Sequence, residues 1–417
     1  MLAHAVKPRV LFVVTTYPDG GGISSVLENF VADMADAYEL HVAVVDERPG
    51  RRVQLAVADE RVHSLGYTPL MQPLLFPPSV LFAARVSRAL RRVVAQIEPD
   101  VVLVQDALNL SVPGVLATRR LPAKLVVMDH GTLTNVYDPR WYPMMVRRFR
   151  PLRRPLFGAG FRLDGPWRAI RWRIGVRYAD EVWLTGAELK PWFQRAGVRM
   201  RAYTQSLPWG FKPPTSEQRT ESRRKLGLAP HTTVLNVVSR LDGEKGLDTL
   251  LDALEDLSPL DSSVRLIVAG DGSLHGWFAS EVGRRGLEST VSLVGRLRRD
   301  QVLRLHHASD FHVYAGTISC GVSICVLEAM ACGVIPIVSD VPHAQVGLAG
   351  GCGWVFPAGS RVQLRAALAQ ALASDDDERR TRRQATLDAL TRRPDPGISD
   401  LVDSLVGIRT PRPAPVH

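Results

Sequence analysis

Two cations five residues apart, Arg240 and Lys245, stand in VVSRLDGEKGLDTLL, between a β-branched apolar run and a stretch with apolar residues at helical spacing. Cations at the mouth of a strand-loop-helix turn, beside a helix N-terminus, suit a diphosphate, whereas either residue alone would read as an ordinary surface charge. Gly20, Gly21 and Gly22 occupy the same kind of place after the first apolar run. Glycine there lets the backbone approach an anion held by the helix start behind it, although a tight structural turn would use the same residues. The run SCGVSICVLEAMACG, residues 319–333, sets one acid, Glu328, in an otherwise apolar segment eight residues after Cys320. His130, in MDHGT, stands just beyond the end of another apolar run; a lone histidine is more often structural, but ligands meet such strands at their carboxyl ends.

The elements that must position these residues alternate. Residues 9–15, RVLFVVT, read as a strand buried on both faces. YPDGGG follows, then the helical pattern ISSVLENFVADMADA and a second strand, ELHVAVVD. A helix near residues 79–96 leads to VVLVQD, KLVVMDH and EVWLTG. The Pro-rich break SLPWGFKPPTS, residues 206–216, interrupts this order, which restarts with TVLNVVSR, VRLIVAGDG, VSLVG, FHVYAG and IPIVSD. The chain is therefore read as α/β, two Rossmann-like parallel-sheet domains facing across a cleft. Their bounds are 1–207 and 208–390, with a hinge at Leu207–Phe211 and a C-terminal tail over 391–417 that loses the apolar pattern and ends in a frayed TPRPAPVH. The acidic run Asp375–Glu378 reads as a helix start rather than a metal site. No G-x-G-x-x-G follows any strand, neither at Gly20–Gly22 nor at Gly270-Asp271-Gly272, which argues against an NAD-linked oxidoreductase.

SRLDGEKGLDTLLDAL, RLIVAGDGS, VSLVGRL, SCGVSICVLEAMACGVIPIVSD and GGCGWVF follow one another between Val234 and Phe356. In that order they closely resemble the nucleotide-sugar half of the family 4 (group 1) glycosyltransferases, retaining enzymes of GT-B architecture. Over the N-terminal half the resemblance is looser and rests on Gly20–Gly22 and His130. It implies that Arg240 and Lys245 hold the donor diphosphate and stabilise it as it leaves. Gly20, Gly21 and Gly22 would approach the same phosphates, and His130 would face the donor sugar. Glu328 matches the second acid of the family's E-x(7)-E motif, which accepts hydrogen bonds from the ribose hydroxyls. The departure is Cys320, at the position of the first acid. A thiol is a weak hydrogen-bond partner, so contacts to the sugar would fall to the backbone of Gly321, Val322 and Ser323 and to the Ser323 hydroxyl. Either the donor sugar differs or turnover is impaired; the alternative is a catalytically impaired relative serving as a nucleotide- or sugar-binding partner subunit. The resemblance implies no cofactor and no metal. The co-substrate is a nucleotide-sugar, UDP-sugar favoured over GDP-sugar, and the acceptor is the hydroxyl of a glycolipid, a polysaccharide precursor or a small-molecule aglycone.

Composition adds a location. With 46% hydrophobic and 23% charged residues the 417-residue chain is a globular protein, and neither a leader nor a spanning segment is read from it. The four cysteines fit neither a zinc motif nor a disulfide scaffold. The net charge of +10 is concentrated in Arg140–Arg173, where ten Arg oppose Asp164 alone and alternate with Trp, Tyr, Phe and Met. That composition is expected on an anionic membrane surface, ahead of a solvated face or nucleic acid. The expected location is cytoplasmic, peripheral on the inner face of the plasma membrane.

Overall fold

The computed structural model describes residues 7–16, 22–46, 59–66, 76–130, 170–185, 194, 197–203, 210–257, 263–318, 323–341, 349–391 and 396–407. Gly20, Gly21, Cys320, Gly321, Val322, residues 207–209 of the expected hinge and most of Arg140–Arg173 lie outside them. The chain divides into two compact units, and Leu207–Arg393 forms the body of the second.

The first unit carries β1 (Arg9–Thr16), β2 (Glu39–Asp46), β3 (Val62–Ser64), β4 (Val101–Val104), β5 (Lys124–Asp129), β6 (Glu181–Leu184) and β7 (Met200–Ala202). They form a seven-stranded sheet in the order β3-β2-β1-β4-β5-β6-β7, every described pair parallel. Its helices are α1 (Gly22–Met34), α2 (Phe76–Ile97), α3 (Ser111–Thr118) and α4 (170–177). β1 is central, and its continuous apolar run is explained by burial from both sides: Leu11 and Val13 pack with Val86 and Leu90 of α2, while Phe12 stacks on Phe30 of α1 at 6.3 Å.

The second unit repeats the plan with β8 (Thr233–Val238), β9 (Val264–Ala269), β10 (Val291–Gly295), β11 (Phe311–Tyr314), β12 (Ile335–Ser339) and β13 (Trp354–Phe356). Its six strands run β10-β9-β8-β11-β12-β13, again parallel. Around them lie α5 (Ser216–Lys225), α6 (Leu247–Glu255), α7 (His275–Arg284), α8 (Arg299–Ala308), α9 (Ile324–Ala331), α10 (Arg361–Ala373) and α11 (Asp376–Thr391). α5 starts in a capping box, the Gln218 N–H donating to Thr215 Oγ1 and the Thr215 N–H to Gln218 Oε1. The acidic run does open a helix: Asp375 accepts the Glu378 N–H at 2.8 Å ahead of α11.

One expectation is corrected. Within the stretch read as a tail without apolar pattern, Ile398–Val406 forms α12, which belongs to the first unit. Ile398, Leu401 and Val402 are buried, and the Tyr38 hydroxyl donates to the Asp403 carboxylate. ISDLVDSLV holds its apolar residues at helical spacing, but the segment is short, and its burial comes from packing onto an element more than 350 residues earlier in the chain.

Candidate functional site

The predicted cations sit on the turn that leaves β8, the central strand of the second unit. Arg240 Nη1 donates to Asp242 at 2.5 Å and Nη2 to Glu244 at 3.0 Å; both acids are 5% exposed, whereas the Arg240 side chain is 56% exposed. Two buried carboxylates thus fix a guanidinium that reaches solvent. Asp242 is fixed in turn, its other oxygen accepting the Ser273 N–H at 3.1 Å and hydroxyl at 2.7 Å.

Glycines let the strand-end loops meet. A Cβ on Gly270, at φ +145°, would lie 1.8 Å from the Ser239 carbonyl oxygen, and one on Gly272 2.5 Å from that of Leu241. Gly270-Asp271-Gly272 therefore serves close backbone approach to the Arg240 turn. Gly246 does the same where α6 begins: φ is +63°, and a Cβ would lie 1.9 Å from the Ala315 oxygen just past β11.

Lys245 closes the 3-10 turn Gly243–Lys245, its ammonium 5.5 Å from the centre of the Tyr314 ring. It lines a small cavity with Val237, Ser239, Tyr314 and Ala315. Its field reaches Cys325 in the first turn of α9. Burial pushes the Cys325 thiol up to about 12, with Lys245 opposing and Glu328 reinforcing the shift, so this thiol stays protonated at neutral pH and is no nucleophile. Ser323 precedes α9 without capping it; its buried hydroxyl meets no hydrogen-bond partner among the described residues. A helix start, a hydroxyl and a nearby ammonium together form an environment for an oxyanion.

Glu328, 7% exposed, lies one turn further along α9. Its Oε1 is 3.5 Å from Nη1 of Arg299, the first residue of α8, whose guanidinium lies 4.7 Å from the centre of the Phe211 ring. Arg240, Lys245, Ser323 and Glu328 are thus all carried by elements at or just beyond the carboxyl ends of β8 and β11.

His130 belongs to the first unit. It follows β5, is 9% exposed, and its Nδ1 lies 3.4 Å from the Tyr203 hydroxyl. Burial, with Asp129 adding to it, holds that hydroxyl well above its usual range, so it remains a donor. Gly22 is the first residue of α1.

The sequence reading missed Asp242, Glu244, Ser273, Arg299 and Tyr203. The first two had a signal, acids two and four residues after Arg240 in SRLDGEKG. Arg299 and Tyr203 had none, because each meets its partner across a large sequence separation.

The family Glycosyl transferases group 1 matches residues 218–388, and Glycosyltransferase Family 4 matches residues 20–182. The GDP-mannose-dependent monoacylated alpha-(1-6)-phosphatidylinositol monomannoside mannosyltransferase of Corynebacterium glutamicum is 23% identical over 79% of this chain and 80% of its own length. The alpha-monoglucosyldiacylglycerol synthase of Streptococcus pneumoniae is 24% identical over 63% of this chain and 56% of its own. Among solved structures, Anabaena Alr3699/HepE in complex with UDP and glucose superimposes with a TM-score of 0.68 at 18% identity, over 95% of this chain and 98% of that one. With the two family matches lying in order along both parallel-sheet units, the chain belongs to the family 4, group 1 glycosyltransferases of GT-B fold.

Proposed function

We propose that the protein is a retaining glycosyltransferase that moves a hexosyl group from a nucleoside-diphosphate sugar to the hydroxyl of a glycolipid or polysaccharide precursor at the inner membrane face. The observation that carries this reading is the convergence of Arg240, Lys245, the start of α9 and Glu328 at one end of the second sheet. In this reading Arg240 and Lys245 bind the diphosphate and stabilise its growing charge as the bond from the anomeric carbon to the phosphate oxygen breaks. The bond electrons go to that oxygen. The acceptor hydroxyl attacks the anomeric carbon from the same face, and its proton passes to the departing phosphate, so configuration is retained. Glu328 accepts from the ribose hydroxyls, held from behind by Arg299. Ser323, with the backbone of Gly321 and Val322, serves the donor where Cys320 replaces an acid. Gly20–Gly22 and His130 serve the phosphates and the sugar by resemblance. No metal is assigned a role.

UDP-sugars are the first donors to test and GDP-mannose the second, since one similar protein is named as GDP-mannose-dependent and one similar structure holds UDP. A lipid acceptor is favoured because the two similar proteins above are named for a phosphatidylinositol monomannoside and a monoglucosyldiacylglycerol. No described helix is long and apolar enough to cross a membrane, so association at the surface is the form proposed. Cys320 motivates the rival reading, a partner subunit that binds nucleotide or sugar without turnover.

The test is donor hydrolysis across UDP-, GDP- and dTDP-sugars by the wild type and by Cys320→Glu. Release of nucleoside diphosphate from one donor by the wild type identifies that donor and sinks the rival. Thermal stabilisation by a nucleotide, with turnover only in Cys320→Glu, sinks the catalytic reading.

A further inference from the structure

The first unit has two helical layers of opposite charge. Right-handed crossovers place α1 on one face of the sheet and α2, α3 and α4 on the other. The packing agrees, since Phe12 meets α1 while Leu11 and Val13 meet α2. α12, with its tie from Asp403 to Tyr38 at the end of α1, lies on the α1 side. On that side α1 and α12 carry Glu28, Asp33, Asp400 and Asp403 and not one Lys or Arg.

The other layer has the reverse composition. α2 exposes Arg88, Arg91 and Arg92, and the residues just after α3 expose Arg119 and Arg120. α4 exposes Arg173 and Arg177. No Asp or Glu occurs in residues 76–97, 111–123 or 170–178. The layer is continuous: Arg91 of α2 donates to the Leu116 carbonyl of α3 at 2.7 Å, and a Cβ on Gly175 of α4 would lie 2.0 Å from Ser111 Oγ of α3.

Apolar side chains stand among these arginines. α4 buries Trp172 and Val176 yet leaves Ile170 47%, Ile174 43% and Tyr178 67% exposed, four residues apart on its outer side. Leu116 and Leu121 are exposed beside Arg119 and Arg120. A solvated helix face would carry carboxylates among its cations and no such aliphatic stripe.

We propose that the α2–α3–α4 layer is the surface on which the protein docks to an anionic lipid bilayer. Arginines without intervening acids match anionic headgroups, and aliphatic side chains flanked by arginine enter the boundary between headgroups and acyl chains. Single-stranded nucleic acid is the weaker match, because its bases stack on aromatic faces and, apart from Tyr178, the large apolar side chains this layer exposes are isoleucine and leucine. The acidic α1–α12 layer on the opposite side orients the unit, since it is repelled by the surface that attracts the arginines. This inference deepens the lipid-acceptor reading above by naming the docking surface, but it does not need turnover.

The experiment is cosedimentation of the full-length protein with vesicles of phosphatidylglycerol and phosphatidylcholine, against phosphatidylcholine alone, at about 0.1 M salt where surface charges still act over about 10 Å. The wild type should partition onto the anionic vesicles only. Arg88→Gln, Arg92→Gln, Arg119→Gln and Arg120→Gln together should lower the partition coefficient at least about 100-fold with the melting temperature unchanged. Ile174→Ser with Tyr178→Ser should remove the part of binding that survives high salt. Wild type that ignores anionic vesicles, a folded quadruple variant that binds as the wild type does, or tighter retention on a single-stranded oligonucleotide than on vesicles would each overturn the proposal. Donor hydrolysis in the absence of vesicles keeps the two readings apart: vesicle binding without turnover leaves the docking surface standing, and turnover without vesicle binding sinks only the docking surface.

Discussion

The two units share one strand plan, with β1 between β2 and β4 as β8 is between β9 and β11, yet they use arginine in opposite ways. In the second unit arginines close on carboxylates inside the fold. Arg285 is 8% exposed and meets Asp252 at 2.5 Å, Glu255 at 2.8 Å and Glu281 at 3.2 Å. In the first unit Arg201 does pair with the buried Glu181 at 3.3 Å, but the exposed arginines of α2 and α4 stand on helices that hold no acid. Around Arg285 the charge is answered by acids of the same fold, whereas on α2, α3 and α4 no acid of the same helix stands beside the exposed arginines. Removing a charge should therefore cost stability in the second unit and binding in the first.

The strongest break of that contrast is at Asp310. It accepts from Arg219 at 2.6 Å, Arg383 at 2.5 Å and the Val234 N–H at 2.9 Å, lies 3.7 Å from Arg223, and its side chain is 7% exposed. Arg219 and Arg223 also cap the carbonyls of His307, Ala308 and Ser309 at the end of α8. Asp310→Ala leaves three cations facing one another around a buried gap and should destabilise the second unit by about 3–5 kcal/mol. Denaturant unfolding reads this directly; a loss no greater than that of an exposed pair, about 1 kcal/mol, would remove the distinction between the two uses of arginine.

Lys245, like Arg240, is a cation of the second unit assigned to a ligand, and its contacts include an aromatic ring. Lys245→Ala should lower donor turnover about 100- to 1000-fold, equivalent to about 2.7–4 kcal/mol of transition-state stabilisation, while the melting temperature moves little. A large fall in stability with unchanged turnover in the surviving folded protein would class Lys245 with the structural arginines.

Histidines repeat the contrast on a smaller scale. In the second unit His312 Nδ1 is 2.6 Å from Asn236 Oδ1, and Asn236 Nδ2 is 3.3 Å from His306 Nδ1, all three fully buried. Burial pulls His312 down to about 3, and burial with its neighbours His312 and His307 pulls His306 well below its usual range. Both are neutral in the fold and take up protons on unfolding, so the unfolded state binds more protons at acid pH and stability falls as pH drops below about 6.5 towards the folded value. From His312 alone the loss between pH 7 and pH 5 should be about 2 kcal/mol. In the first unit His63, lowered by burial and then by His41, is only half-buried at the sheet edge. Hydrogen exchange at pH 5 should therefore open β8 and β11 before β2 and β3; equal protection of both sheets would show that the buried network does not control acid stability.

What the sequence disclosed follows the same division. Both sheets were legible because strands buried on two faces leave continuous β-branched runs, RVLFVVT and TVLNVV being the central ones. The Arg240 turn was legible because its residues are neighbours in sequence. The charged layer of the first unit was not, since Arg88, Arg119 and Arg173 come together only through the handedness of three crossovers. The basic segment Arg140–Arg173 drew attention by its arginines interleaved with aromatic residues, and of it only Ile170–Arg173 lies among the described residues. α12 escaped because nine residues carry little periodic signal when their packing partner is Tyr38.

The smallest effect tests the finest point of the comparison, an arginine of the second unit that is both paired and near the ligand. Arg299 holds one oxygen of Glu328 at 3.5 Å and stacks over Phe211, so its planar group has two constraints that an ammonium cannot reproduce together. If Arg299 positions Glu328 for the ribose, Arg299→Ala should raise the donor KM about 5- to 10-fold, a loss of about 1 kcal/mol, with kcat within about twofold. Arg299→Lys should recover only part of it. Because Arg299 would act through Glu328, the double variant with Glu328→Gln should be no worse than Glu328→Gln alone. Additive losses, or a fall in kcat at constant KM, would instead place Arg299 in its own contact with the donor.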